Sequence, residues 1–216
     1  MIAILGWLII SGILETVTIP LASLHKTQWY WVPAYASHFI MFICTFGLAR
    51  YSKIQLPHFT FKPGNKVFFR IAFYFAAFGI AVGIYEPAIN FPASQSAMLS
   101  TILWFIFQAG IVGWTEEFLY RGTLQAILNE ALPNRTVLGT RVGVLLAAVM
   151  FSIVHLGNIT YQSFRITVIQ ATGALVLGLF FGRYYDRTGD LAGAAWLHNI
   201  VDGLMFIVPL ILTIRF

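Results

Sequence analysis

Apolar residues in this chain fall in long, nearly unbroken runs, and the polar positions gather in short clusters between them. Neither the strict alternation of a half-buried strand nor the narrow stripe of a soluble amphipathic helix organises the chain. The runs extend roughly from Ile2 to Leu24, Trp29 to Arg50, Val67 to Tyr85, Met98 to Leu132, Thr140 to Leu156, Ser163 to Tyr184 and Leu191 to Ile214. Each has at least about 17 residues, enough for a helix to cross the hydrocarbon of a bilayer. The pattern predicts an all-α, polytopic transmembrane helical bundle of about seven spans. These form one integral membrane domain over residues 1–216.

The polar clusters punctuate the runs. His25, Lys26, Thr27 and Gln28 join the first two spans into a helical hairpin, and Pro20 bends the end of the first. Pro57, Pro63 and Gly64 mark turns in a polar connection from Tyr51 to Lys66, and Glu86-Pro87 and Asn90-Phe91-Pro92 break the chain before it re-enters near Met98. Trp29-Tyr30-Trp31 reads as an interfacial aromatic belt. Gly173, Gly178 and Gly182 read as close helix-packing positions.

Composition agrees with a bilayer as solvent. Of the 216 residues 59% are hydrophobic and 10% charged, against about a quarter charged in a soluble domain. The opening Met1–Trp7 lacks a basic leader and a small-residue cleavage site, so the first run is read as a retained span. The single cysteine, Cys44, forms no internal disulfide. The net charge of +5 is explained by topology rather than by an acidic partner. With the N-terminus cytoplasmic and the C-terminus outside, ten of the 13 basic residues collect on the inner side, leaving Lys26, Arg165 and Arg215 outside. No phosphate loop and no nucleic-acid signal is present, so the expected partners are the lipid bilayer and a membrane-associated protein or peptide.

The fourth run carries the charges that need an account. Gly113-Trp114-Thr115-Glu116-Glu117-Phe118-Leu119-Tyr120-Arg121-Gly122 places two carboxylates and a guanidinium in an apolar stretch, at about 2.5–3.5 kcal/mol each on insertion scales. On a helix Glu117 and Arg121 are four apart and form a neutralised pair, whereas Glu116 points about 100° away and has no partner on its own helix. Hydrocarbon disfavours its charged form, the condition that lets a carboxylate serve as a general base near neutral pH. If the helix continues to about Leu132, Glu116 lies roughly 24 Å above the inner face, the depth of His155 at roughly 22 Å from Thr140. His198 and Asp202, again four apart, come out at roughly 10–17 Å from Leu191. Two acids and two histidines from three spans therefore share the middle of the membrane.

Two schemes fit these residues. In one, Glu116 assisted by His155 deprotonates a water that attacks a peptide carbonyl, while His198 and the Asn199/Asp202 neighbourhood stabilise the oxyanion. In the other, Glu116, His155 and His198 hold a zinc whose bound water is the nucleophile. No His-Glu-x-x-His motif occurs. A proton-coupled transporter would also place acids and histidines at midplane. Glu15 in the first span reads as a helix-to-helix hydrogen bond, and His38 and His58 stand at spacings that define no motif.

Glu116-Glu117-x-x-x-Arg121, Phe151-x-x-x-His155 and His198-x-x-x-Asp202, in that order on successive hydrophobic helices, resemble the CPBP (Abi) family of intramembrane proteases, which includes the CAAX-processing endopeptidases. The resemblance covers a catalytic core of about residues 98–206. It implies an endopeptidase acting on a CAAX tail, a C-terminal sorting tag or a peptide precursor, or else a non-catalytic immunity or partner-binding member. By this resemblance Glu116 is the catalytic glutamate and His155 its partner in activating water. His198 and Asp202 occupy the oxyanion or metal position, and Glu117 with Arg121 supports the first glutamate. Many members carry asparagine where this chain has Asp202. A carboxylate there repels an oxyanion unless it is protonated or cation-bound, which points to Asn199 as the donor. Members have been described both as metalloproteases and as glutamic-type enzymes. The metal-free scheme is favoured here, with no cofactor, and zinc is the alternative.

Overall fold

The computed structural model describes residues 2–21, 23–24, 27, 29–55, 66–85, 98–160 and 163–214. Outside the described residues lie the first connection at His25, Lys26 and Gln28, the turn residues Pro57, His58, Pro63 and Gly64, and the breaks at 86–92; the side chain of Glu15 is likewise outside the description. In order, the elements are α1 (Ile2–Leu21), α2 (Trp31–Tyr51), α3 (Lys66–Tyr85), α4 (Met98–Gly110), α5 (Val112–Glu117), a π-helical stretch (Phe118–Gln125), α6 (Ala126–Ala131), strands β1 (Thr136–Val137) and β2 (Thr140–Arg141), α7 (Val142–His155), a 3₁₀ turn (Leu156–Thr160), α8 (Phe164–Thr188) and α9 (Leu191–Ile214).

The architecture is all-α and polytopic. Among the described residues five helical stretches are long and apolar enough to span a bilayer, one of them running from Met98 to Ala131. Helices α1 and α3 are apolar as well, over Ile2–Leu14 and Phe68–Ile84 among the described residues. Burial is inverted relative to a soluble protein. Phe39, Phe73 and Phe180 are more than half exposed, while Glu117, Arg121, Thr123 and Gln125 are buried. Apolar rings facing outward around a polar interior are what a lipid solvent selects, since unsatisfied polar groups in hydrocarbon cost several kcal/mol, about 4–8 on a cyclohexane scale.

The chain forms two compact units. One comprises Met1–Gly12, Phe42–Thr60 and Glu117–Leu191, the other Ile13–Met41, Phe61–Glu116 and Ala192–Phe216. The division passes between the two adjacent glutamates.

In the unit that holds Glu117, α7 and α8 pack along their lengths, with the π-helical stretch and α6 against α7. Ser152 donates to the Ala171 carbonyl at 2.7 Å, and Gln125 donates to the Gly182 carbonyl at 3.1 Å. A Cβ at Gly178 or Gly182 would press on Phe151 and Arg121 or on Val144 and Gln125, so both are the close-packing positions expected. Gly173 is not, since nothing lies within 4 Å of its would-be Cβ. Helix α8 runs on past the expected Tyr184 to Thr188 and stops at Gly189, whose φ of 66° is the left-handed cap that glycine accepts most readily. The span expected from Thr140 begins two residues later, at Val142. Thr140–Arg141 is not the first turn of α7 but a strand paired antiparallel with Thr136–Val137, turning at Leu138 and Gly139, both at positive φ.

In the unit that holds Glu116, α9 is the central packing element. Gly79 and Gly83, four apart on α3, bring that helix onto the α9 backbone at Val201 and Leu204 and onto Val208 and Pro209. Helix α2 is seated on α4 by rings and backbone: Tyr35 donates to the Leu103 carbonyl at 2.8 Å, and its ring lies 5.1 Å from Phe107. Tyr30 is 5% exposed and packs on Trp104 at 5.4 Å. Of the expected interfacial belt, Trp29 is exposed as a belt residue should be, whereas Tyr30 is a packing residue.

Candidate active site

The continuous path through Glu116 and Glu117 is realised, but not as the uniform α-helix that the depth count assumes. The helix is interrupted at Ile111, between α4 and α5, and widens after Glu117 into eight residues of π-helix, all of them buried. Such wide turns are rare and concentrate at functional sites. The interruption leaves the Gly113 amide to be accepted from outside its own helix, and Asn199 Oδ1 takes it at 2.7 Å. Gly113 is required there, because a Cβ would meet the Ala195 carbonyl and the Asn199 amide. This lock fixes α5 against α9 and sets which turn of α9 stands beside Glu116.

Around Glu116 three helices contribute. Its Oε2 lies 3.6 Å from His198 Nε2 on α9, and Asp202 Oδ2 lies 3.4 Å from the same nitrogen. Its Oε1 lies 3.4 Å from His38 Nε2 on α2. The carboxylate, with 16% of its side chain exposed, is therefore held between two imidazoles. These separations are charge contacts longer than formed hydrogen bonds, as is common where catalytic groups have no substrate to close on. Of the expected residues, Glu116, His198 and Asp202 come together in one unit. His38, set aside in the sequence for want of a motif, joins them.

Asn199 is oriented by its lock on Gly113. With Oδ1 accepting that amide, Nδ2 must point the other way, and this buried donor has no hydrogen-bond partner among the described residues. Asn199 is also the only amide among the residues lining an open groove of about 300 Å3 whose other walls include Phe105, Ala109, Trp196, Gly203 and Ile207.

The second unit element of interest begins one residue later. Glu117 Oε1 accepts from Arg121 Nη1 at 2.9 Å, with the two side chains 0% and 1% exposed. The guanidinium lies 4.7 Å from the Phe151 ring and 5.5 Å from that of Phe181, a cation–π setting that compensates part of its lost hydration. Gly178 leaves the space: a Cβ would be 3.2 Å from Arg121 Nη2. Phe151 also meets His155, ring to ring at 4.8 Å, and its carbonyl lies 2.8 Å from His155 Nδ1. A carbonyl only accepts, so Nδ1 carries a proton and Nε2 is the nitrogen turned away from that carbonyl. His155 sits in the unit of Glu117, and Glu116 in the other.

Among the described residues no three histidine, cysteine or carboxylate side chains are arranged to hold a metal ion. The zinc set expected as the alternative, Glu116, His155 and His198, is drawn from both units.

Comparison with known proteins gives a family match for part of the chain. Neither curated proteins nor solved structures give a match. A family model described as type II CAAX prenyl endopeptidase Rce1-like matches residues 98–204, which hold every expected site residue from Glu116 to Asp202 and leave out His38. The family is one of intramembrane CAAX-type proteases, whose substrates are membrane-embedded proteins, and it agrees with the CPBP resemblance of the three motifs. Through this segment the chain, an integral membrane protein, matches the Rce1-like family of type II CAAX prenyl endopeptidases, consistent with the CPBP family.

Proposed function

We propose that the chain hydrolyses a peptide bond of a membrane-embedded protein or peptide by a glutamate-activated water. The observation that carries this reading is Glu116, partly exposed and held between His38 and His198 while its buried neighbour Glu117 is paired through Oε1 with Arg121. A carboxylate fixed by its flanks and still reachable by water is the arrangement a general base requires.

In the proposed reaction Glu116, with His155 as its partner as the family resemblance implies, takes a proton from water as its oxygen attacks the scissile carbonyl. The tetrahedral oxyanion is met by Asn199 Nδ2 and by His198, donors fixed before the reaction begins. The C–N bond then breaks as the proton taken by Glu116 passes to the leaving amine, which restores the carboxylate. Asp202 holds His198 rather than the oxyanion. Glu117 and Arg121 keep the backbone on which Glu116 stands. The apolar groove beside Asn199 suits an apolar or lipid-modified stretch of substrate. A CAAX tail, a C-terminal sorting tag and a peptide precursor all meet that requirement. The distribution of basic residues supports a cytoplasmic N-terminus and an external C-terminus.

The test is a comparison of membrane-protein termini in cells carrying the intact chain or Glu116→Ala. New termini that disappear with the variant, at equal membrane insertion, support the reading. Identical termini in both would overturn it.

A further inference from the structure

His38 lies on α2, outside the matched segment 98–204, and is not part of the three motifs. We infer that His38 is a positioning residue for the Glu116 carboxylate, an inference that rests on the catalytic reading of Glu116 above. Its own ring is fixed first. Nδ1 lies 3.1 Å from the Ala34 carbonyl one turn back and 3.4 Å from Ser37 Oγ. The carbonyl accepts, so Nδ1 carries a proton and Nε2 is the nitrogen turned toward Glu116. The ring meets Phe107 of α4 edge to face at 4.7 Å and 86°, which limits its rotation. Phe107 in turn packs on Tyr35 and Trp104, at 5.1 and 5.4 Å. An aromatic cluster thus holds an imidazole whose outward nitrogen reaches one carboxylate oxygen.

That oxygen is Oε1, whereas His198 faces Oε2. One imidazole leaves a carboxylate free to swing about its terminal torsion, which for glutamate is broad and soft. Two imidazoles from helices on either side define its plane. Misplacing a catalytic group by about 1 Å costs on the order of 10²-fold in rate, so a second contact at the far oxygen has a kinetic role without touching substrate. The chain therefore completes its site with a residue from a helix that the matched catalytic segment does not contain.

The experiment uses the full chain in lipid nanodiscs and three variants. His38→Ala removes the contact and the ring, His38→Phe keeps the ring packing without the nitrogen, and His38→Gln keeps a side-chain amide that can donate or accept, whichever partner holds the proton. Two readouts are taken: peptide cleavage, resolved into kcat and KM, and the rate at which a hydrophobic carbodiimide labels Glu116, followed by peptide mass spectrometry. Positioning predicts that Ala and Phe lower kcat about 10- to 100-fold with KM within about twofold, label Glu116 severalfold faster, and that Gln recovers most of both. Rescue by Phe but not Gln would show a packing role and overturn the inference, as would wild-type labelling and turnover in His38→Ala. If the intact chain cleaves no peptide the catalytic reading falls, and the labelling series alone decides whether His38 holds the carboxylate.

Discussion

Glu117 is wholly buried with one guanidinium at 2.9 Å, itself enclosed by aromatic rings, whereas Glu116, one residue earlier, keeps 16% of its side chain exposed and faces imidazoles at 3.4 and 3.6 Å. The first environment suits a structural ion pair. Its charge is cancelled at contact distance, and the cation has ring faces where it would have had water. The second offers imidazole nitrogens at both carboxylate oxygens, with an opening for a reactant. Two residues of one type, adjacent in sequence, are thus divided between holding the helix and using it.

The sharpest way to break this comparison is to neutralise each acid in turn. Glu116→Gln keeps shape and hydrogen-bonding capacity but removes the base, so cleavage should fall by about 10²–10⁴-fold while the thermal midpoint in detergent stays within a few degrees. Equal cleavage by the variant would show that Glu116 is not the base. Arg121→Met should do the opposite. Leaving Glu117 buried and unpaired is expected to remove about 3–5 kcal/mol, seen as a large fall in midpoint and in yield of folded protein. The double variant Glu117→Leu/Arg121→Met should recover much of that loss, because a buried pair replaced by apolar groups of similar volume is often near neutral. No recovery would mean that the pair does more than neutralise itself.

Helical spacing alone made the Glu117–Arg121 pair legible, because i and i+4 share a face whether or not the turn is widened. The spans were legible from run length, and the role of Gly178 and Gly182 from small residues on one helix face. His38 was not. Its contact with Glu116 joins residues far apart in the chain, and what aims it is the packing of Tyr35, Trp104 and Phe107, for which no local pattern exists. The interruption at Ile111 was equally hidden, since Gly113 is tolerated in many apolar helices and only the Asn199 side chain on α9 gives it a reason. The two-residue strands were missed for a further reason. Leu138 at φ 49° is a poor choice for a tight turn, so the turn signal of Asn-Gly or Asp-Gly is absent from Leu138-Gly139.

A smaller effect is expected at Gly178. Alanine there would place a methyl carbon 3.2 Å from Arg121 Nη2 and from Phe151 Cδ1, and 3.3 Å from the Ala148 Cα. The backbone atom cannot yield as a side chain can, so α8 must move, at a cost of about 1–3 kcal/mol. The expected result is a moderate fall in midpoint with cleavage lost only in proportion to unfolding. A selective loss of turnover at full stability would tie the box around Arg121 directly to chemistry and dissolve the contrast between the two glutamates.

The smallest effect is expected from Asp202→Asn. Asp202 Oδ2 lies 3.4 Å from His198 Nε2, and the same nitrogen lies 3.6 Å from Glu116 Oε2. A single N–H cannot donate well to two carboxylates at once, so Asp202 competes with Glu116 for His198 even as it holds the ring. Asparagine would keep an acceptor for the ring, remove one negative charge beside the developing oxyanion, and add an amide donor to that of Asn199. These changes oppose one another, the weaker hold on His198 against the less repelled oxyanion. Turnover should therefore move by no more than about tenfold, which is about 1.4 kcal/mol, with a rise indicating that repulsion dominates. A loss as deep as that of Glu116→Gln would make Asp202 a second acid–base group, and the division of labour would then run between helices α5 and α9 rather than between Glu116 and Glu117.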